Sequence, residues 1–366
     1  MKATARLHEV GQSLWLDNIT RTMLGDGTLQ GYVDEFSITG LTSNPTIFDK
    51  AISGGDAYDA QIAEVSGSAD SEGVGDNSNE RVFFELAIAD LRDATELFAP
   101  IHQRTDGVDG WASLEVSPLL ADDAEATIEQ AAALHIKAER ENLFIKIPGT
   151  EAGRKAIEES IFAGVPINVT LLFDDKHYLG AAEAYMRGVE RRIEAGLDPN
   201  VTSVASIFVS RWDVAVAEQV PEKLQNRLGI AVGGRAYRAY RELLDSDRWL
   251  RLMNEGARPQ RLLWASTGTK DPNASDTLYI EAFASPFTIN TMPEPTLKAF
   301  ADHGEVGELF PADGGNAEQV LAEFEGAGID VATLAARLQE EGKGSFSKSW
   351  EELLNSIESQ RGVTAG

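Results

Sequence analysis

Cysteine is absent from the 366 residues of the chain. Disulfides, thiolate metal sites and a cysteine nucleophile are therefore excluded, and the sequence suits a reducing compartment. Long apolar runs are missing as well: none approaches the roughly 20 residues that cross a bilayer, and the first 15 residues lack the apolar core of a secretory signal. We expect a soluble, cytoplasmic protein.

Basic residues are few compared with acidic ones. The chain has 32 Lys and Arg against 59 Asp and Glu, which gives a formal net charge of −27. A field of this sign repels nucleic acids and anionic membranes. We therefore expect neither as a partner, and the positions of any Lys or Arg near a candidate site become informative.

Histidine is also scarce, and its spacing does not favour a metal site. The five histidines are His8, His102, His135, His177 and His303. They show no close pairing, whereas a metal-dependent enzyme needs clustered His, Asp and Glu ligands. The glycines of GIAVGGR (229–235) match neither a P-loop nor a dinucleotide fingerprint, and the start of a helix is enough to explain them.

What the sequence does contain is an alternation of short apolar runs with longer segments of helical periodicity. The runs are SLWLDNI (13–19), FSITGLTSN (36–44), GWASLEVSP (110–118), NLFIKIPG (142–149), PINVTLLF (166–173), TSVASIFVS (202–210), RLLWAST (261–267) and FTINTMP (287–293). Between them lie amphipathic segments such as HYLGAAEAYMRGVERRIEAG. Eight βα units of this length predict an α/β fold, a single (β/α)₈ barrel domain over 1–366, with a doubly wound sheet as the alternative.

Two segments do not fit a minimal barrel. SGSADSEGVGDNSNE (66–80) is acidic and rich in Ser and Gly, which predicts an exposed loop. From about residue 294 the chain carries further helical signals, and SKSWEELLNSIESQ (347–360) reads as an amphipathic helix. Its expected N-cap is Ser349, which forms a capping box with Glu352, and Ser347 is the second choice.

A lysine interrupts the most apolar of the strands, ENLFIKIPGT (141–150). Alternate side chains of a strand face opposite sides, so Phe144 and Lys146 share one face while Ile145 and Ile147 share the other. Lys146 either extends to solvent or pairs with a buried carboxylate, or it is a Schiff-base nucleophile whose amine becomes neutral through burial. Its position alone does not decide between these interpretations.

Polar residues recur in or after the other strands. They are Asp17, Asn44, Glu115, Asn168 and Thr170. Any one of them is more often a helix cap or a hydrogen-bonded core group. Together with Lys146 they occupy the first five strands in succession, which favours a common site at the carboxyl ends of the barrel strands.

At these positions the sequence resembles the transaldolases of the pentose phosphate pathway. The matching segments are LTSNPTIF (41–48), SLEVSP (113–118), NLFIKIPGTEAG (142–153), INVTLLF (167–173) and SIFVSR (206–211). The resemblance implies an α/β barrel without a metal or other cofactor. It also implies that a Schiff base on Lys146 transfers a dihydroxyacetone unit between sugar phosphates, from sedoheptulose 7-phosphate to glyceraldehyde 3-phosphate, giving erythrose 4-phosphate and fructose 6-phosphate.

Each catalytic role implied by the resemblance has a chemical reason. Lys146 attacks the C2 ketone, and the iminium that follows accepts the electrons of the breaking C3–C4 bond. Asp17 takes the proton of the C4 hydroxyl. Glu115 moves protons while the carbinolamine forms and loses water, through a water molecule that Thr170 helps to hold. Different surroundings can separate the pKa values of two such acids.

The same resemblance assigns residues to substrate binding. Asn44 and Asn168 contact substrate hydroxyls, and Ser206 and Arg211 bind the phosphate, for which a guanidinium offers bidentate contacts. Many transaldolases have a second arginine soon after an Ala-Ser pair behind strand seven. This chain has Lys270 there, with an offset in spacing, so the geometry of the phosphate site is open.

Phe208 shares the strand face of Ser206, and we expect its ring to exclude water near the enamine without supplying a proton. A fructose-6-phosphate aldolase-like enzyme that releases free dihydroxyacetone is the closest alternative function. A non-catalytic sugar phosphate binding protein is the alternative from another class, although binding alone gives no reason for a lysine beside two acids.

Overall fold

The computed structural model describes residues 2–67, 73–75 and 78–364. All eight predicted strands are present. They are β1 (Ser13–Asp17), β2 (Ile38–Thr42), β3 (Ala112–Glu115), β4 (Leu143–Pro148), β5 (Ile167–Leu172), β6 (Ser203–Phe208), β7 (Arg261–Ala265) and β8 (Thr288–Met292). Each strand is shorter at one or both ends than the apolar run that predicted it.

The strands form one parallel sheet in the order β2-β1-β8-β7-β6-β5-β4-β3. The remaining gap between β2 and β3 is bridged by a few main-chain bonds. The amide of Leu41 donates to the carbonyl of Trp111 over 2.9 Å, and that of Gly110 donates to the carbonyl of Thr39 over 2.8 Å. The sheet thus closes into the predicted (β/α)₈ barrel, and the doubly wound alternative is wrong.

Helices surround the barrel and continue beyond its last strand. Those in the described residues are α1 (Ala3–Glu9), α2 (Arg21–Gly25), α3 (Thr28–Phe36), α4 (Pro45–Ser53), α5 (Asp59–Gly67), α6 (Ser78–Arg104), α7 (Ala124–Ala138), α8 (Glu151–Ala163), α9 (Asp175–Glu194), α10 (Ser210–Val216), α11 (Leu228–Leu244), α12 (Asp247–Asn254), α13 (Leu278–Ala282), α14 (Glu294–His303), α15 (Ala317–Gly326) and α16 (Val331–Thr364). The glycines of GIAVGGR lie in the first turns of α11, as predicted.

The barrel interior divides into an apolar layer and a polar layer above it. Trp15, Phe144, Val204, Leu263 and Ile289 come from five different strands and pack in one buried cluster. Two residues further along β1 and β4, the alternation of side chains places Asp17 and Lys146 on the same inner face. The apolar layer therefore forms the floor of any binding site at the carboxyl ends of the strands.

Only part of the acidic loop expected over 66–80 lies within the described residues. Helix α5 ends at Gly67 and α6 begins at Ser78, so both ends of that stretch are helical. Residues 68–72 and 76–77, seven of the fifteen residues of the predicted loop, lie outside the described residues.

The predicted start of the C-terminal helix is wrong. Ser347 and Ser349 lie well inside α16, which begins at Val331, and Asp330 caps it by accepting the amide proton of Thr333 over 3.0 Å. The helix continues through Gly342 and Gly344 despite their low propensity, because it packs against the barrel along this stretch. Packing that the local sequence does not show outweighs the capping box.

Gly40 permits the close approach of β2 to β3. A Cβ atom at this position would lie 2.7 Å from the carbonyl oxygen of Trp111 and 2.8 Å from the ring of Trp15. Neither neighbour is the free end of a flexible side chain. The bridge that closes the barrel therefore depends on the missing side chain.

We expect Gly40→Ala to lower the free energy of unfolding by about 1–3 kcal/mol, the usual cost of forcing a methyl group into a packed interior. Gly31→Ala in α3 is the matched control, because its Cβ would meet nothing within 4 Å. Alanine there should leave the protein as stable or slightly more stable. Urea unfolding of both variants measures the difference, and equal stabilities would contradict this account of the closure.

Candidate active site

A cavity of about 310 Å³ opens at the carboxyl ends of the barrel strands. Its lining includes most of the predicted site residues, namely Asp17, Asn44, Lys146, Thr170, Ser206, Phe208, Arg211 and Lys270. Glu115 and Asn168 lie just beneath this surface, as neighbours of Lys146 on either side in the sheet. The structure thus brings together residues from the first seven strands, although their spacing in the chain exceeds 250 residues.

Lys146 is buried, with 5% of its surface exposed, and has two close oxygen neighbours. Its Nζ lies 3.1 Å from Oε2 of Glu115 and 3.3 Å from the carbonyl oxygen of Ser43. Glu115 and Lys146 are register partners in β3 and β4, so the sheet itself holds the two side chains side by side. The expected interior position of Lys146 is therefore correct, and extension of its side chain to solvent is wrong. The pairing with a buried carboxylate, which the sequence left open as an alternative, is present, so the role of Lys146 as a nucleophile stays a prediction.

Asp17 lies at the edge of the same cavity, at the end of β1. Its Oδ1 accepts a hydrogen bond from the hydroxyl of Thr42 over 2.7 Å, and that hydroxyl lies 2.7 Å from the hydroxyl of Thr291. Burial raises the pKa of Asp17, while the positive charges of Lys146 and Lys270 act in the opposite direction. A carboxyl group with a raised pKa can hold or release a proton nearer to neutral pH.

Glu115 is more deeply buried than Asp17 and is tied to the lysine. Burial raises the pKa of Glu115, and the charge and hydrogen bond of Lys146 oppose that rise. The two acids thus differ in their surroundings, since Asp17 faces a hydroxyl network and Glu115 faces the amine. Such a difference permits them to take separate proton-transfer roles.

Thr170 presents a buried hydroxyl that has no hydrogen-bond partner within the described residues. The next residue, Leu171, has a positive φ of 58°, and the pairing of β5 with β6 shifts register between Val169 and Leu172. A bulge of this kind turns a side chain away from the regular strand direction. This hydroxyl lies at the cavity wall, and the water-holding role that the resemblance implies for Thr170 stays a prediction.

The two predicted asparagines already have partners in the protein. Asn44 caps α4 by accepting the amide proton of Ile47 over 3.1 Å, which leaves its NH₂ group for the cavity. Asn168 is fully buried, donates to the hydroxyl of Ser113 over 3.1 Å and accepts from that of Ser206 over 2.7 Å. Substrate contacts by either amide stay predictions.

Several cations face the cavity without an ion pair in the described part of the chain. Arg211, at the start of α10, lies with its Cζ 5.0 Å from the ring centre of Phe208. Lys270 follows β7, and Lys50, in the last turn of α4, was not predicted. Three free cations in a protein of net charge −27 are a suitable environment for an anionic group of a ligand.

Other lining residues were also missed by the sequence interpretation. They are Thr42, Thr46, Ile47, Ala265, Ser266, Thr291, Ser345 and Phe346. The strand alternation that was applied to Lys146 applies equally to Thr42 and Thr291, so these two were accessible to the same argument. Ser345 and Phe346 come from α16, and no local pattern shows that this helix crosses the mouth of the barrel.

The sequence model of the family described as Transaldolase/Fructose-6-phosphate aldolase matches residues 14–357. The chain belongs to this family. It is 41% identical to a protein named transaldolase from Parafrankia sp., over the whole chain and 99% of that protein. It is 42% identical to the transaldolases of Kocuria rhizophila, over 97% of both proteins, and of Mycobacterium tuberculosis, over 96% of this chain and 95% of that one.

The family predicted from the motifs is therefore confirmed, and so is the enzyme class, because relatives over almost the entire chain are named transaldolases. The described residues contain no cluster of three or more His, Asp or Glu arranged to hold a metal ion. Within the same residues, no helix has the length and apolar character needed to cross a membrane.

The raised pKa of Asp17 predicts a gain in stability on its removal. Above the pKa of an unfolded aspartate, about 3.9, the ionised group costs the folded state free energy, and below it that cost is absent. Asp17→Asn keeps an acceptor for Thr42 and removes the cost. We expect a larger free energy of unfolding than wild type at pH 7, with the difference vanishing below about pH 4.

The same variant should lose sugar phosphate transfer by a factor of about 10²–10⁴, the usual contribution of an acid–base group. Urea unfolding at several pH values and a coupled transfer assay give the two quantities. Asp56→Asn is the control, because Asp56 is exposed and lies outside the cavity. An Asp17→Asn protein that is less stable than wild type at pH 7 would show that the carboxylate is a stabilising structural group.

Proposed function

We propose that this member of the transaldolase family transfers a dihydroxyacetone unit between sugar phosphates through a Schiff base on Lys146. The observation that carries the proposal is the position of the Lys146 amine, which is buried, faces the cavity and lies 3.1 Å from a carboxyl oxygen of Glu115. An amine in such a position can attack a ketone only after it has given up a proton, and the adjacent acid accepts it.

The first half of the reaction joins the donor to the lysine. The amine attacks C2 of fructose 6-phosphate or sedoheptulose 7-phosphate, and the carbinolamine then loses water to give an iminium. Glu115 supplies the proton that the departing hydroxyl needs. The partnerless hydroxyl of Thr170 supports a water molecule on this route, since a buried hydroxyl without a partner is uncommon.

Cleavage requires a base near the C4 hydroxyl of the donor. Asp17 faces the cavity on β1, across the barrel from β4, and its pKa is raised by burial. It takes the C4 hydroxyl proton as the C3–C4 bond breaks, and the bonding electrons pass to C2 and the iminium nitrogen. The aldehyde leaves and the enamine stays on Lys146. Asp17 returns the proton when an acceptor aldehyde forms the new bond.

The cations at the cavity rim fit the phosphate of either substrate. Arg211 offers several N–H donors in a fixed geometry, and Lys270 and Lys50 add point charges. The Cζ of Arg211 lies beside two aromatic rings, 5.0 Å from the centre of Phe208 and 5.8 Å from that of Phe346, and these contacts restrict the guanidinium before the ligand arrives. The sequence lacks the second arginine of many transaldolases, and two lysines besides Lys146 line this cavity.

One assay, run with and without an acceptor aldehyde, distinguishes transfer of dihydroxyacetone from its release. A transaldolase forms product from a donor only when an acceptor aldehyde is present, whereas an aldolase of the same family also liberates dihydroxyacetone from the donor alone. A sugar phosphate binding protein does neither. The cytoplasmic location inferred from the sequence stays a prediction.

We expect Lys146→Met to reduce transfer to the background rate, because the sulfur side chain fills a similar volume but cannot form a covalent adduct. The protein should stay folded, since Glu115 can accept a proton once its cation is gone. Lys155→Met, at an exposed position of α8, is the control and should retain full activity. Transfer by folded Lys146→Met at the wild-type rate would remove the lysine from the mechanism.

We expect Arg211→Ala to raise KM for fructose 6-phosphate by about one to two orders of magnitude, since a charge-assisted hydrogen bond contributes about 1.5–3 kcal/mol. The effect on unphosphorylated fructose should be small. Lys270→Ala and Lys50→Ala should act in the same direction but less strongly, because a lysine makes fewer simultaneous contacts. Steady-state kinetics with both sugars give the comparison, and equal effects on the two would place Arg211 outside the phosphate site.

A further inference from the structure

The C-terminal helix contributes an aromatic ring to the cavity. Phe346, in α16, is 7% exposed, and its ring centre lies 5.6 Å from the Nζ of Lys146. The same ring lies 5.8 Å from the Cζ of Arg211 and meets the ring of Phe208 edge to face at 6.4 Å. One side chain, distant in the sequence from all three, therefore contacts the lysine, the guanidinium and the wall residue.

The helix that carries this ring is fixed on both sides of it. Towards its start, the amide of Gln339 donates to the carbonyl of Leu171 at the bulge of β5 over 2.9 Å. Towards its end, Ser349 accepts a hydrogen bond from Thr46 over 2.8 Å, and the ring of Trp350 packs on Phe83 at 5.0 Å. Anchors before and after position 346 hold the ring above the lysine.

The group that the Phe346 ring would cover is the reaction intermediate on Lys146. After cleavage, Lys146 carries an enamine, and two routes lead onward. In transfer, C3 of the enamine attacks an aldehyde. In release, C3 takes a proton from solvent, water adds to C2 of the resulting iminium, and the C–N bond breaks to give free dihydroxyacetone and the lysine amine. Release consumes one water molecule and transfer consumes none before the new bond forms.

We propose that Phe346 is a specificity-determining residue that favours transfer over release by excluding water from the enamine on Lys146. This inference rests on the proposed function. It assigns a role at the site to the middle of the C-terminal helix α16, which would otherwise only pack against the barrel. With Phe208 it makes a cover of two rings, neither of which carries a dissociable proton.

The test compares variants of Phe346 with wild type in two reactions. Fructose 6-phosphate is supplied with erythrose 4-phosphate for transfer, and alone in deuterated water for release, where deuterium on a carbon of dihydroxyacetone marks protonation of the enamine. Phe346→Ala opens the cover, and we expect the release-to-transfer ratio to rise several-fold. Phe346→Leu restores apolar bulk without the ring, and its ratio should stay near that of wild type. Phe346→Val replaces the alanine variant if the latter does not fold.

Phe300→Ala in α14 is the matched control, because Phe300 is fully buried and lies outside the cavity. It should lower stability and leave the ratio unchanged. Three results would overturn the inference: a wild-type ratio in Phe346→Ala, a leucine variant as prone to release as alanine, or an equal rise in Phe300→Ala. Failure of the proposed function is distinct, since wild type would then show no transfer that depends on Lys146.

Discussion

The rest of the site depends on how the barrel accommodates a lysine in its interior. A buried ammonium is costly unless it is paired, and Glu115 supplies the pair from the neighbouring strand at 3.1 Å. Parallel pairing of β3 with β4 fixes this neighbour, because Glu115 and Lys146 are register partners. The apolar layer beneath Glu115 and Lys146 closes the barrel interior to water, so the pair is open only to the cavity above it.

Positive charge is concentrated around the Lys146–Glu115 pair and its cavity. The surface is strongly acidic, yet the cavity carries three cations that have no carboxylate partner in the described part of the chain. Arg211 lies beside the rings of Phe208 and Phe346, and burial lowers its pKa, so its charge is partly desolvated before an anion binds. A local positive site in an acidic protein suits the small phosphorylated ligand of the proposed function.

The sequence was sufficient for features that follow from local periodicity. Eight apolar runs became eight strands, and the polar residues within or at the ends of those runs, among them Asp17, Glu115 and Thr170, lie around Lys146 in the structure. It was insufficient where distant segments meet. The capping box at Ser349 is a local signal, whereas the true course of α16 depends on its packing against α4 and the barrel, which put Phe346 above the lysine. The need for glycine at position 40 is likewise apparent only from the structure, where the carbonyl oxygen of Trp111 leaves no room for a Cβ atom.

The central claim is that Lys146 forms the covalent intermediate. Reduction with borohydride in the presence of fructose 6-phosphate converts an iminium into a stable secondary amine, and peptide mass spectrometry then locates it. The account predicts a dihydroxyacetone adduct on the peptide that contains Lys146, formed only when donor is present. An adduct on another lysine, or no adduct in protein that is transferring dihydroxyacetone, would contradict it.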